Sequence, residues 1–259
     1  MLCGCGHMAC TSFARSRSAG PVCRAVAWVA GTRSGLECAM PRGIDYCPVS
    51  AGVDAVGDRW TLLLVRELLL GSRRFNDIHR GMPGISRTLL SGRLRRLQHT
   101  GLVARGLDDE GRPEYRLTPA GAALEPLVWQ LGDWARRWYF GDPDREQLDT
   151  AWALWRLRQF VRRDRLPTRR VVVEFVLRDA ADDHGWLVLS PEETSACHRH
   201  PGYDVDMWVS TDLAELHRLV AGSSAIETAI RTGRVAVDGD PDLVRDFPSW
   251  LAWRFCPPR

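Results

Sequence analysis

From residue 48 to residue 140 apolar side chains recur every three or four positions, the spacing of one helix face. Farther along they fall into short valine-rich runs, the pattern of strands. Asp58 stands before "RWTLLLVRELLL" and Gly71 behind it, an N-cap and a helix stop. "FNDIHRGM" predicts a short second helix. "PGI" turns the chain, and Ser86 then caps a longer third helix ended near Gly101. Ile85 and Leu90 occupy the N′ and N4 positions of a hydrophobic staple across that cap. "LVARGL" and "EYRLT" are short alternating strands, with Gly and Pro turn chemistry in "DDEGRP" between them. Thr118 and Pro119 open a further helix, "TPAGAALEPLVWQLGDWARRWYF", in which Pro126 predicts a kink.

"GDPDRE" (141–146) is the expected linker. A helix rich in Trp and Arg is predicted over 147–163. "RRVVVEFVLRD", "GWLVLS", "DVDMWVST" and "RVAVDG" then predict strands, and "LAELHRLVAG", "SAIETAIRTG" and "DPDLVRDFPSWLAWRF" helices. The fold class is α+β: a helical module over 40–140 followed by a layered α+β domain over 147–256. Residues 1–39 carry no sustained period and no acid before Glu37. They fit a transit peptide. Because patterned sequence begins at Met40, a mis-called start or a disordered tail fits better.

Charge sharpens this picture. Every one of the 35 basic residues is arginine, a planar fork that grips phosphate or guanine with two donors. Residues 71–106 hold Arg73, Arg74, Arg80, Arg87, Arg93, Arg95, Arg96 and Arg105 against a single acid, Asp77, whereas 151–259 is balanced. On a helical wheel Leu94 and Leu97 fall within roughly 40° of Leu90 and form a buried stripe, while Thr88, Ser91, Gly92 and Arg95 lie roughly 100–200° away. Arg87 is at the edge, in the first turn. Such a helix suits the major groove, where Arg pairs with guanine and Ser or Thr with base edges. The exposed N–H groups behind Ser86 can hold a phosphate. Arg112, at the turn of the strand pair, is placed to reach the adjacent minor groove or the backbone. A solvated arginine face is the plain alternative. The order helix, turn, basic helix, two strands favours DNA.

Residues 46–134 resemble the HxlR family of bacterial winged helix-turn-helix transcription regulators. The resemblance rests on Cys47-Pro48, Gly57-Asp58-Arg59-Trp60, Arg74-Phe75, Ile85-Ser86 with Leu90, Leu94 and Leu97, Gly101-Leu102-Val103, "EYRLT" and Gly121. It implies a homodimer, packed through the first and last helices of the module, on a pseudo-palindromic double-stranded DNA operator. The acidic wing "DDEG" departs from the family's more basic wings. Some relatives use a cysteine at the place of Cys47 to sense oxidants or electrophiles; a small core thiol is the alternative here.

Residues 204–251 resemble the sterol-carrier-protein-like fold, through an aspartate-bearing strand, two helices, and Gly233, Val235, Val237, Gly239 and Asp240 before the last helix. That likeness implies a tunnel for apolar molecules, with Trp208, Phe247, Trp250 and Trp253 as candidate lining. Tryptophans fill cores more often than they line cavities, and both uses stay open.

Other chemistry is thin. There is no CxxC pair, HExxH, GxSxG or phosphate-cradling Gly loop. Cys197, His198 and His200 lie together without a further ligand pair, so no metal is expected, and no cofactor. No apolar run reaches the length of a membrane span. The cysteine usage fits a reduced, cytoplasmic protein. The expected protein is a dimeric, non-enzymatic DNA-binding regulator whose C-terminal domain senses a small apolar ligand; the alternative is a thiol switch at Cys47 with a structural C-terminal domain.

Overall fold

The computed structural model describes residues 46–179 and 184–253, so the expectations for 1–39 lie outside the described residues. Pro48 opens α1 (Pro48–Val56). Asp58 caps α2 (Arg59–Leu69), accepting from the N–H of Trp60 at 3.0 Å and of Thr61 at 3.3 Å. Next come α3 (Phe75–Arg80) and α4 (Arg87–His99), the latter capped by Ser86. Gly101 leaves α4 at φ +72°, a conformation glycine adopts without steric cost. β1 (Val103–Leu107) and β2 (Pro113–Leu117) pair antiparallel, Arg105 opposite Tyr115.

The next predicted helix is two: α5 (Pro119–Ala122) and α6 (Glu125–Trp138). Pro126 does not kink a continuous helix. It stands in the first turn of α6, where a missing N–H breaks no helical bond. Leu64, Leu68, Ile78, Ile85, Leu90, Leu94, Leu97 and Val103 form the core of this module. A smaller cluster, Val65, Val128 and Trp129, packs α6 on α2.

A short 3-10 turn (Arg145–Gln147) leads to α7 (Thr150–Gln159), which is shorter than its pattern predicts. Asp149 caps it, and Phe160 ends it. A mixed sheet follows, in the order β5-β4-β3-β6-β7. Its strands are β3 (Val171–Leu177), β4 (His184–Leu189), β5 (Thr194–Cys197), β6 (Met207–Thr211) and β7 (Ala236–Gly239). β3 and β6 are parallel and the other pairs antiparallel. β5 is not predicted, because "TSAC" offers no apolar run. The helices α8 (Leu213–Ala221), α9 (Ile226–Arg231) and α10 (Pro241–Trp250) complete the domain. One sheet face, with Val173, Phe175, Leu187, Met207 and Val209, packs against Leu154, Leu157, Leu219, Phe247 and Trp250.

The two modules share a buried polar junction. Arg156 of α7 and Glu67 of α2 are both fully buried. The Arg156 guanidinium donates to Glu67 Oε2 at 3.0 Å and Oε1 at 2.5 Å, and to the Gly81 carbonyl at 2.6 Å. Arg66 donates to the same Oε1 at 2.7 Å and the same carbonyl at 3.0 Å. Gln159 adds a bond to Ser72 Oγ at 3.1 Å. Burial, then the neighbouring Arg156 charge, pulls the Arg66 guanidinium down to about 10 against the opposing pull of Glu67.

Candidate nucleic-acid interface and ligand cavities

In α4 the leucine stripe is buried, with Leu90 at 0%, Leu94 at 1% and Leu97 at 1% exposure. Ser86 Oγ accepts from the Leu89 N–H at 3.2 Å, which fixes where the helix begins. Arg87, Thr88 and Arg95 are exposed on the other side, with Ser91 and Gly92 half-buried between them. Among the described residues Arg95 reaches only a weak 3.5 Å contact to the Ser91 carbonyl. Arg87 donates to Asn76 Oδ1 at 3.0 Å and lies 6.0 Å from the Phe75 ring centre, so α3 orients it.

The remaining α4 arginines serve the fold. Arg93 lies 3.4 Å from Asp58, and Arg96 donates to the Asp54 carbonyl at 3.3 Å. Burial opposes the Asp58 charge, but the Thr61 hydroxyl, the Trp60 N–H and Arg93 outweigh it and hold that carboxyl below its ordinary pKa. The sequence carried no local signal for these two ties, since their partners come from α1 and the cap of α2.

The wing is charged against itself. Arg112 Nε donates to Asp108 Oδ2 at 3.1 Å, and its Nη2 pairs with Glu110. Arg74 reaches Asp108 at 2.8 Å and Glu110 at 3.7 Å. Arg112 therefore stands at the wing turn, as expected, but its guanidinium is engaged by the two acids there.

Cys47 is half-buried at the start of α1. It makes no full capping hydrogen bond, yet the N–H groups of Ser50 and then Val49 draw its thiol pKa below the ordinary value. Cys197 is the last residue of β5. His200 Nδ1 accepts from the Gly202 N–H at 3.1 Å. No cluster of three metal-ligating side chains occurs among the described residues.

The four candidate lining residues divide. Phe247, 0% exposed, meets Trp250 and Trp253 edge-on at 5.8 and 5.7 Å between ring centres, and Phe247 and Trp250 fill the core. Trp208 lies between the buried Met207 and Val209, so alternation turns it to the opposite sheet face, where it is 40% exposed. Trp253 alone lines a cavity, of about 720 Å3, with polar neighbours Arg162, Ser223, Ser224 and Arg245. A second cavity, of about 380 Å3, opens at the junction of the modules and is mostly aliphatic and aromatic in its walls. No helix among the described residues is long and apolar enough to cross a membrane.

Two family models match separate stretches of the chain. Residues 55–142 match the HxlR-like helix-turn-helix model and residues 157–251 the SCP-2 sterol transfer family model. The HTH-type transcriptional regulator YvaP of Bacillus subtilis (strain 168) is 39% identical over 97 residues, 36% of this chain and 90% of that protein. YdeP of the same organism is 33% identical over 105 residues, 37% of this chain and 82% of that one. Among solved structures, the oxidized redox regulator HypR shares 33% identity, with a TM-score of 0.34, over 37% of this chain and 100% of that chain. With a basic, leucine-seamed helix before a two-stranded wing and YvaP matched over most of its length, the chain belongs to the HxlR-like helix-turn-helix family, and an SCP-2-type domain follows that module.

Proposed function

We propose that this protein is a cytoplasmic transcription regulator that binds double-stranded DNA as a homodimer and answers to a small apolar ligand through its C-terminal domain, over 147–256. One observation carries the DNA reading. The α4 face that points away from the leucine core offers Arg87, Thr88, Ser91 and Arg95 without an acid among them. Gly92 leaves a gap in that face: a Cβ there meets nothing within 4 Å. Arg87 and Arg95 read base edges or phosphate, Thr88 and Ser91 contact bases, and Ser86 fixes the helix start beside a phosphate. Arg112 joins when a phosphate outcompetes its own acids.

Dimerisation is supported by apolar side chains left in solvent on α1 and α6. Val49, Val53, Leu127 and Trp134 are exposed, and Trp138 is 67% exposed. Such a run suits the interface of a second copy. The test is an operator titration with the protein's own upstream intergenic DNA at two salt concentrations. Neutralising about 6–10 phosphates per dimer costs on the order of 10³–10⁵ in affinity between roughly 50 and 200 mM salt. Arg87→Ala/Arg95→Ala is expected to abolish specific binding; unchanged binding in that variant overturns the assignment of α4.

A second reading rests on Cys47, whose thiol the start of α1 shifts toward thiolate. There the signal is oxidation, and the C-terminal domain is structural. Cys47→Ser then removes an oxidant response and leaves any response to apolar ligand untouched.

A further inference from the structure

We infer that the aliphatic cavity between the two modules is the effector site of this regulator, and that it takes a small apolar molecule bearing one anionic end, such as a medium-chain carboxylate. The inference rests on the ligand-sensing reading above and places the site at the junction instead of inside the C-terminal core, where Phe247 and Trp250 already fill the space. The cavity, about 380 Å3, is large enough for a ten-carbon chain and lies within the size range of ligand pockets. Leu62, Leu63, Val128 and Leu131 come from the DNA-binding module and Trp152 from α7, so a bound molecule touches both.

Charge selects the head group. Among the described residues the cavity walls include Arg66 and Arg136 and no acid. Behind that wall Arg66 and Arg156 both donate to the carboxylate of the fully buried Glu67, so guanidinium groups dominate the polar side of the cavity. A carboxylate beside Arg136 and Arg66 is attracted by these guanidiniums, whereas an ammonium ligand is repelled by them. Arg136 has a partner to exchange, Asp133 at 3.1 Å, which is itself more than half exposed.

The walls also lead to the DNA-reading helix. The Trp152 ring lies 5.2 Å from the Arg156 guanidinium carbon. Arg156 and Arg66 both donate to the carbonyl of Gly81, the residue that ends α3 a few positions before the Ser86 cap. A Cβ at Gly81 would lie 1.8 Å from Glu67 Oε2, so this contact has no slack. A ligand that displaces Arg66 or the Trp152 ring alters the bonds holding the entry to α4. It changes operator affinity only to the degree that it binds one arrangement better than the other.

The experiment uses the full chain, with decanoate as the probe and decanol as its neutral counterpart. Binding is followed by calorimetry, and operator affinity by titration with and without probe. Decanoate is expected to bind, decanol about tenfold or more weakly, and operator affinity to shift with decanoate. Gly132→Leu fills the cavity from a wall position where a Cβ meets nothing within 4 Å. It is expected to weaken decanoate about tenfold or more by occupying the same space, while operator affinity without probe stays as in the wild type. Arg136→Gln is expected to remove the preference for decanoate over decanol. If Gly132→Leu and the wild type answer decanoate alike, ligand sensing survives but the site lies elsewhere, and this inference fails. If decanoate binds neither protein, the site is not one for carboxylates and the inference fails. If Gly132→Leu instead changes the oligomeric state seen by sedimentation, the cavity is a seat for a second copy and the inference fails.

Discussion

Gly92 costs α4 about 1 kcal/mol of helix propensity relative to alanine. No neighbour among the described residues requires that cost, since a Cβ there meets none of their atoms within 4 Å. A partner surface that must approach the helix backbone would require it. Gly92→Ala is therefore expected to raise thermal stability by up to about 1 kcal/mol and to weaken specific operator binding. Melting curves and an operator titration on the same preparation check both signs. Tighter or unchanged binding would mean the groove does not close on this part of α4. The same scale shows where residue chemistry was legible in sequence. The leucine stripe and the Ser86 cap are local, repeating and spaced by the helix itself. Arg93 and Arg96 were indistinguishable from Arg95 by charge, because what separates them is Asp58 and the Asp54 carbonyl, each more than thirty residues earlier. Phe247 and Trp250 could not be told from cavity lining, since core and pocket draw on the same aromatic side chains.

At the scale of elements, the wing holds its own cations. Asp108 and Glu110 engage Arg112 from the same hairpin and Arg74 from the chain before α3. Each pair is partly solvent-exposed, so it contributes little to stability and can be exchanged for a phosphate. Asp108→Asn/Glu110→Gln keeps an acceptor for the wing turn while releasing both guanidiniums. Operator affinity is expected to rise several-fold and the salt slope to steepen by about one to two ions, since each newly engaged phosphate adds close to one. A slope identical to that of the wild type would take the wing off the DNA. The hairpin itself was legible, because alternation and a Gly-Pro turn specify strands locally. The division of the helix after Thr118 was not: Pro126 marked an interruption, but only packing decides between a kink and a fresh start, and here Val128 and Trp129 dock α6 on α2 as a separate helix. β5 escaped because its strand character comes from pairing with β4, Trp186 opposite Cys197, and not from an apolar pattern of its own.

At the scale of the whole molecule, the DNA-binding module and the domain behind it are bound by more than the chain between them. Leu70 of the first module packs against the core of the second. Arg156 carries one charge across to Glu67 with no water-exposed surface on either side chain. A buried ion pair adds little net stability when compared with a well-packed apolar pair, but leaving one partner alone is costly. The two halves of the pair are unequal here. Glu67→Gln leaves Arg66 and Arg156 facing a neutral amide, and the loss is expected to reach about 3–5 kcal/mol. Arg156→Met keeps Glu67 matched with Arg66 at 2.7 Å, so each module retains its own core and its own charge balance. What it loses is the charged tie between them, while the Gln159–Ser72 bond and the Leu70 contact remain. Calorimetry of the wild type is expected to show one cooperative unfolding transition, and Arg156→Met two, the modules melting separately. Two transitions already present in the wild type would mean that the junction does not couple the modules. A ligand against Trp152 at the junction would then have no coupled path through Arg156 to α4.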